Sequence, residues 1–193
     1  MRLKRITPLV LTYNEKANIG RTLSRLTWAD RIVVVDSYST DGTLEILNDY
    51  PKIEVFQREF DHFADQCNYG LEQIDAEWIL SLDADYLLPE ELIGQLRALH
   101  TRPSIDGYTV PFTYCVFGQP LRGSLYPPRT VLYRRDRTRY ERDGHAHRVQ
   151  VDGETDMLTA PIYHDDRRPL SAWLDAQKRY AEAEAKKLPA SED

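Results

Sequence analysis

The chain has 193 residues, 41% of them hydrophobic and 29% charged, with a mean hydropathy of -0.56; this suits one globular domain with a real core and excludes a disordered chain or two large domains. Its 25 basic and 31 acidic residues leave a net charge of -6, which lacks the positive field of a general nucleic-acid binder, so no nucleic-acid partner is expected. No apolar run reaches the ~18 residues of a membrane-spanning helix, and Cys67 and Cys115 fit neither a zinc spacing nor a disulfide framework. These features place the chain in the cytoplasm, with contact at the cytoplasmic face of the inner membrane left open.

The N-terminal stretch pairs basic residues with an apolar run, as a leader peptide does, but Pro8, Thr12 and Asn14 interrupt it. It reads instead as a first strand, Ile6 to Leu11. Further strands are expected at Ile32 to Val35, Ile53 to Phe56 and Trp78 to Leu82, alternating with helices at Ala17 to Leu26, Thr43 to Tyr50 and Ala64 to Ile74. Such alternation predicts right-handed βαβ units and a parallel sheet, and the unbroken apolar run Ile32 to Val35 suits a strand covered on both faces. Asn14 and Asp41-Gly42-Thr43 are start signals for the first two helices. Pro89-Glu90-Glu91 opens another through about Leu99.

After Pro103 the pattern changes. Gly107 to Phe112, Thr130 to Arg134 and Val149 to Val151 read as strands, and Leu170 to Leu188 as an amphipathic helix. Its aromatic stripe, Trp173 and Tyr180, reads as core in preference to a membrane face. The chain therefore divides into residues 1–102, a ligand-binding half, 103–188, a second half of the same domain, and a frayed tail at 189–193.

In open parallel sheets ligands sit beyond the carboxyl ends of the strands, where strand order reverses. Three such ends are polar: Thr12-Tyr13-Asn14-Glu15, the turn from Asp36 through Gly42, and Asp83-Ala84-Asp85. If the fourth strand returns beside the first, all three line one crevice. In extended backbone Asp83 and Asp85 project to the same side, and two carboxylates aimed at one point suit Mg²⁺ or Mn²⁺ together with phosphate oxygens.

The segments ITPLVLTYNE, IVVVDSYSTDGT, ADQCNYG and WILSLDAD, in this order, resemble the N-terminal half of glycosyltransferase family 2 with its α/β GT-A fold. YPPRTVLYRR, DGHAHRVQVDG and YHDDRRPL resemble the bacterial subgroup that includes lipopolysaccharide core β-glucosyltransferases, and the likeness runs from about Ile6 to Leu188. It implies a metal-dependent inverting transfer of one hexose from a nucleotide sugar, UDP-glucose first among donors, to a glycan or lipid-linked acceptor. Thr12, Asn14, Glu15, Asp36, Asn68 and Asp83 would border the nucleotide sugar; Asp36 alternatively caps the turn that follows it. Asp85 would hold the metal, with Asp83 and His164 beside it. The general base is Asp143 or His145, with Asp165 and Asp166 as further candidates.

Two features depart from the family pattern: Tyr86 stands where many relatives carry an acid after D-x-D, and Gln177-Lys178-Arg179-Tyr180 lacks the spacing of the processive-synthase signature. The arginines Arg129, Arg134, Arg135, Arg137, Arg139, Arg142, Arg148, Arg167 and Arg168 either meet an anionic ligand or pair with neighbouring acids on a solvated face. Rival readings are a sugar-nucleotide-binding module without activity and a metal-dependent phosphatase built on Asp83 and Asp85.

Overall fold

In the computed structural model, which describes residues 3–123, 127–143 and 146–185, strands and helices alternate through the first half. In order these are β1 (Ile6–Thr12), α1 (Ile19–Ser24), β2 (Ile32–Asp36), α2 (Thr43–Asn48), β3 (Ile53–Gln57), α3 (Phe63–Glu72), β4 (Trp78–Asp83), β5 (Tyr86–Leu87) and α4 (Glu90–Ala98). The second half is mainly strand: β6 (Ile105–Val110), β7 (Phe112–Val116), β8 (Gln119–Pro120), β9 (Arg129–Arg134), β10 (Thr138–Asp143), β11 (Ala146–Val151), β12 (Glu154–Met157) and β13 (Ile162–His164), then α5 (Leu170–Ala185).

A seven-stranded sheet runs β12-β6-β9-β4-β1-β2-β3. β1 to β4 are mutually parallel, with β1 between β2 and β4, so the chain reverses its direction of travel after β3 and opens a crevice at the strand ends. β9 enters antiparallel to both β4 and β6. The two halves of the chain are thus joined in one sheet, and the second half supplies its β12-β6-β9 side.

Alternation along the strands builds two cores. Ile6, Val10, Ile32, Val34, Trp78, Leu80 and Leu82 face one cluster, with Leu23 of α1, Leu47 of α2 and Leu92 of α4. Leu9, Val33, Val35 and Ile79 face the other, against Cys67 and Leu71 of α3 and Tyr140 of β10, as the two-residue period of a strand requires. Gly70 is where α3 comes closest to the sheet: a Cβ there would lie 2.5 and 2.9 Å from the Leu9 methyls and 3.2 Å from Val35 Cγ2. Gly70→Ala gains about 1 kcal/mol of helix propensity and loses about 1–3 kcal/mol to overpacking. Its thermal midpoint should fall by a few degrees; an unchanged or raised midpoint would show that the closeness of α3 is unimportant.

Several expectations need correction. α1 is shorter than Ala17 to Leu26, because Arg25 and Leu26 donate to the carbonyls three residues back and close the helix in tight turns. The Val149 to Val151 strand is found, as part of β11, and pairs with β10 in a separate two-stranded sheet. Trp173 of the α5 aromatic stripe is not core: it is exposed, as are Leu170 and Leu174, while Ala176 is buried, and the Tyr180 side chain lies outside the described residues. Among the described residues no helix is long and apolar enough to cross a membrane.

Candidate active site

The register puts the three polar strand ends at one level, with Thr12 beside Asp36 and Leu11 beside Asp83. The first two loops are laced together. Ser37 N donates to Thr12 O at 3.0 Å, Thr40 N to Asn14 Oδ1 at 2.8 Å and Asn14 N to Ser39 Oγ at 2.8 Å. Asn14 and Tyr38 adopt left-handed backbone, with φ of 53° and 61°, a conformation such crosslinks help to hold. Asp36 is fully buried and accepts from Ser39 N, Ser39 Oγ and Gln57 Nε2. Its carboxylate thus caps the turn, the alternative named from sequence, and its bonds shape the loop. Thr12 Oγ1 differs: it is buried at the strand end without a hydrogen-bond partner.

Ala84 and Asp85 form a turn, so the same-side geometry expected of an extended D-x-D does not hold. Asp83 lines an open pocket, whereas Asp85 is 7% exposed and its Oδ2 lies 3.0 Å from His164 Nε2. Thr22 Oγ1 of α1 donates to Ala84 O at 2.6 Å, and Asp165 N donates to Asp85 O at 3.1 Å. Tyr86 pairs with His164 across β5 and β13 and packs its ring between His164 and Phe112. Asp85 and His164 are thus in direct contact. Asp85 Oδ1 and His164 Nδ1 remain buried and without a partner. Burial by itself lowers the His164 pKa, but the Asp85 carboxylate, and then Asp83 and Asp166, outweigh it and leave it raised.

Sequence reading missed the support behind this pair. Asn18, fully buried, donates through Nδ2 to Glu15 Oε2 at 2.7 Å and Asp166 Oδ1 at 2.9 Å, and accepts from Arg167 N at 2.8 Å. Arg168 Nη1 reaches Glu15 Oε1 at 2.8 Å and its other nitrogens bond Asp166. Asp165, 2% exposed, accepts from Arg21, Arg167 and Gly118 N. Asp165 and Asp166 are thereby tied into bonds, which argues against either as general base, and Arg167 and Arg168 face acids of their own chain.

Burial, then the Asp85 charge, pushes the Glu15 carboxyl from 4.5 up to about 8, against the opposing pull of Arg168 and Asn18. The folded state then binds the Glu15 proton more tightly than the unfolded chain, so this group's contribution to stability falls as pH rises from 4.5 to 8. The stability of the parent measured against Glu15→Gln should decline across that window in urea melts. A flat or rising difference would contradict the assignment.

Asn68 has a bond within the chain at each end of its amide: its Nδ2 donates to Tyr140 O and its Oδ1 accepts from Tyr140 N, both at 2.9 Å, so it struts α3 against β10. Asp143 closes β10 opposite Ala146; its side chain, and all of His145, lie outside the described residues. Beyond Asp83, between the end of β4, the start of β9 and the β10-β11 hairpin, is a pocket of about 420 Å³ onto which Tyr86, Tyr140, Arg129 and Arg148 open.

Residues 9–152 match the model of Glycosyl transferase family 2. The chain is 34% identical over 132 residues to the SPbeta prophage-derived glycosyltransferase SunS of Bacillus subtilis, covering 67% of this chain and 31% of that protein. It is 28% identical over 148 residues to the lipopolysaccharide core biosynthesis glycosyltransferase LpsC of Rhizobium meliloti, covering 70% and 53%. It therefore spans about a third to a half of these relatives. Among solved structures, S. aureus TarS in complex with UDP-GlcNAc superimposes with a TM-score of 0.62 at 18% identity, covering 85% of this chain and 59% of that one. Glucosyl-3-phosphoglycerate synthase from Mycobacterium tuberculosis, in complex with Mn²⁺, UDP and phosphoglyceric acid, does so with a TM-score of 0.58 at 16% identity, covering 96% and 80%. Both likenesses bear out the α/β GT-A architecture expected from sequence. With the family model matching most of the strand-end crevice and the sheet beneath it, this chain belongs to glycosyl transferase family 2.

Proposed function

We propose that the chain transfers a single hexose from a nucleotide sugar, with UDP-glucose the first donor to try, to a bacterial cell-surface glycan or lipopolysaccharide-type acceptor, with inversion and with Mg²⁺ or Mn²⁺. One observation carries the reading. Asp85, just past the carboxyl end of β4, and His164, which it contacts, each keep a buried polar atom without a partner, Asp85 Oδ1 and His164 Nδ1, and Thr12 Oγ1 at the end of the neighbouring strand β1 is buried without one too; buried polar groups without partners call for a ligand or solvent to complete them. The relatives support the ligand class, since TarS is seen with UDP-GlcNAc and the mycobacterial synthase with Mn²⁺ and UDP.

The donor set suits a hard cation. Among the described residues no three or more His, Cys, Asp or Glu groups gather as a cage, which accords with an ion held by one or two protein ligands and completed by phosphate oxygens. Asp85 and His164 would hold it, with Asp83 beside them, and the bound ion would offset charge developing on the diphosphate leaving group. Thr12 and the Asn14 loop border the nucleoside, while buried Glu15, Asn18 and Arg168 fix the floor beneath it. Asp143, at the end of β10, or His145 takes the acceptor proton. This chemistry belongs at the cytoplasmic face of the inner membrane, where donor and lipid-linked acceptor meet.

The test is hydrolysis and binding of UDP-glucose, UDP-galactose, UDP-N-acetylglucosamine, GDP-mannose and a dTDP-sugar, each with Mn²⁺ and with chelator. Slow donor hydrolysis that chelator abolishes is expected. Binding without turnover on any acceptor would favour a passive module, and phosphate release from a simple phosphomonoester would favour a phosphatase; either result overturns the proposal.

A further inference from the structure

The turn after β4 brings two side chains back together. Asp83 closes β4, Ala84 and Asp85 make the turn, and Tyr86 opens β5. Asp83 and Tyr86 thus stand at its first and fourth positions, which a tight turn holds within about 7 Å between Cα atoms. The Tyr86 hydroxyl hydrogen-bonds the Asp83 carboxylate, and both residues line the pocket at the end of β4. Tyr86 also stands opposite His164 in the pairing of β5 with β13, where directly opposed side chains share one face. Its ring, 6% exposed, meets the His164 imidazole edge-on with centroids 5.3 Å apart, and packs on Phe112 at 5.0 Å. One side chain therefore touches Asp83 through its hydroxyl and His164 through its ring, and His164 in turn contacts Asp85 Oδ2 at 3.0 Å.

We propose that Tyr86 is a positioning residue for the cation site: its hydroxyl sets the direction of the Asp83 carboxylate, and its ring holds the His164 imidazole against Asp85. The inference rests on the glycosyltransferase reading above. Thr22 and Asp165 fix the turn through the carbonyls of Ala84 and Asp85, which leaves the orientation of the Asp83 side chain to a partner of its own. A tyrosine hydroxyl keeps its proton up to about pH 10, so it donates wherever the carboxylate is ionised. A carboxylate at position 86 would add a third negative charge beside Asp83 and Asp85 and repel both. The phenol holds Asp83 without adding charge.

Mn²⁺ titration by EPR in the presence of UDP, beside thermal melts, tests this. Tyr86→Phe keeps the ring and removes the hydroxyl. It should weaken Mn²⁺ binding about tenfold while lowering the thermal midpoint by no more than about 3 °C. The loss should disappear when its partner is absent: Asp83→Ala and Asp83→Ala/Tyr86→Phe should bind Mn²⁺ alike, within about twofold. Tyr86→Leu removes the ring as well. In the metal-free protein it should shift the His164 imidazole NMR signals, identified by their loss in His164→Ala, whereas Tyr86→Phe leaves them in place. Parent-like Mn²⁺ binding by Tyr86→Phe, or an equal loss with and without Asp83, overturns the role of the hydroxyl, and His164 signals unmoved in Tyr86→Leu overturn that of the ring. A parent protein that binds neither UDP nor Mn²⁺ shows that the glycosyltransferase reading itself has failed, and the positioning role falls with it.

Discussion

Asp85→Asn should reduce donor turnover by roughly 10²–10³-fold, the scale of removing one well-placed charge-stabilising group, while leaving the fold intact. Asn is isosteric, and its carbonyl can still accept from His164 Nε2, the contact that Asp85 makes at 3.0 Å. What it loses is the negative charge at the buried oxygen that has no partner in the protein. Stability should stay within about 1 kcal/mol of the parent, because one buried carboxylate is removed from beside Glu15 and a neutral hydrogen bond remains. The Asp85 charge is also one of the causes that raise the Glu15 pKa, so the Glu15 titration should move down in the same variant. His164→Ala should also weaken metal binding, by at least about 10–100-fold, since it removes one of the two residues proposed to hold the ion and the partner of Asp85 Oδ2. Mn²⁺ titration by EPR beside thermal melts reads all of these. Full turnover in Asp85→Asn, or turnover that chelator leaves unchanged, would remove the metal from the mechanism.

Much of this arrangement was legible in the residues. The unbroken Ile32 to Val35 run and the other β-branched runs mark the four parallel strands to within a residue or two at most ends, while the return of the fourth strand beside the first, which the sequence leaves as a condition, comes from the structure. Local spacing finds β6, β9 and β11 of the second half but not their pairing, nor its shortest strands, which pair across long separations. Glu154–Met157 finds its partner in Ile105–Val110, and Ile162–His164 lies between Phe112–Val116 and Tyr86–Leu87. Such short segments carry little periodicity of their own. The family resemblance places Asp36 and Asn68 beside a nucleotide, with capping of the following turn as the alternative for Asp36, and each satisfies a backbone need in its own chain. The distinction depends on where neighbouring N–H groups fall in space. Asn18 sat unnoticed in a helical pattern, since nothing in its local sequence shows that Asp166 and Arg167 return to meet it.

That return makes Asn18 the position of largest expected effect on stability. Its amide meets two carboxylates and one backbone N–H at 0% exposure, using both donors and its acceptor at once. Asn18→Leu keeps the size and removes all three bonds, leaving Glu15 and Asp166 with fewer donors and the Arg167 N–H without its acceptor. Breaking a buried charged network in this way costs roughly 3–5 kcal/mol, which for a chain of this length lowers the thermal midpoint by about 10 °C or more. Asn18→Asp should be at least as damaging, because it places a carboxylate against Asp166 and replaces the donor that Glu15 and Asp166 share with an acceptor. The loss should also reach the chemistry: Asp165-Asp166-Arg167-Arg168 follow directly on His164, and their hold on α1 and Glu15 keeps His164 against Asp85. Asn18→Leu should therefore weaken Mn²⁺ binding even at temperatures where circular dichroism reports a folded protein. A variant with a midpoint within a degree of the parent would show that Arg168 and Arg21 alone secure the segment, and the network as drawn here would be wrong.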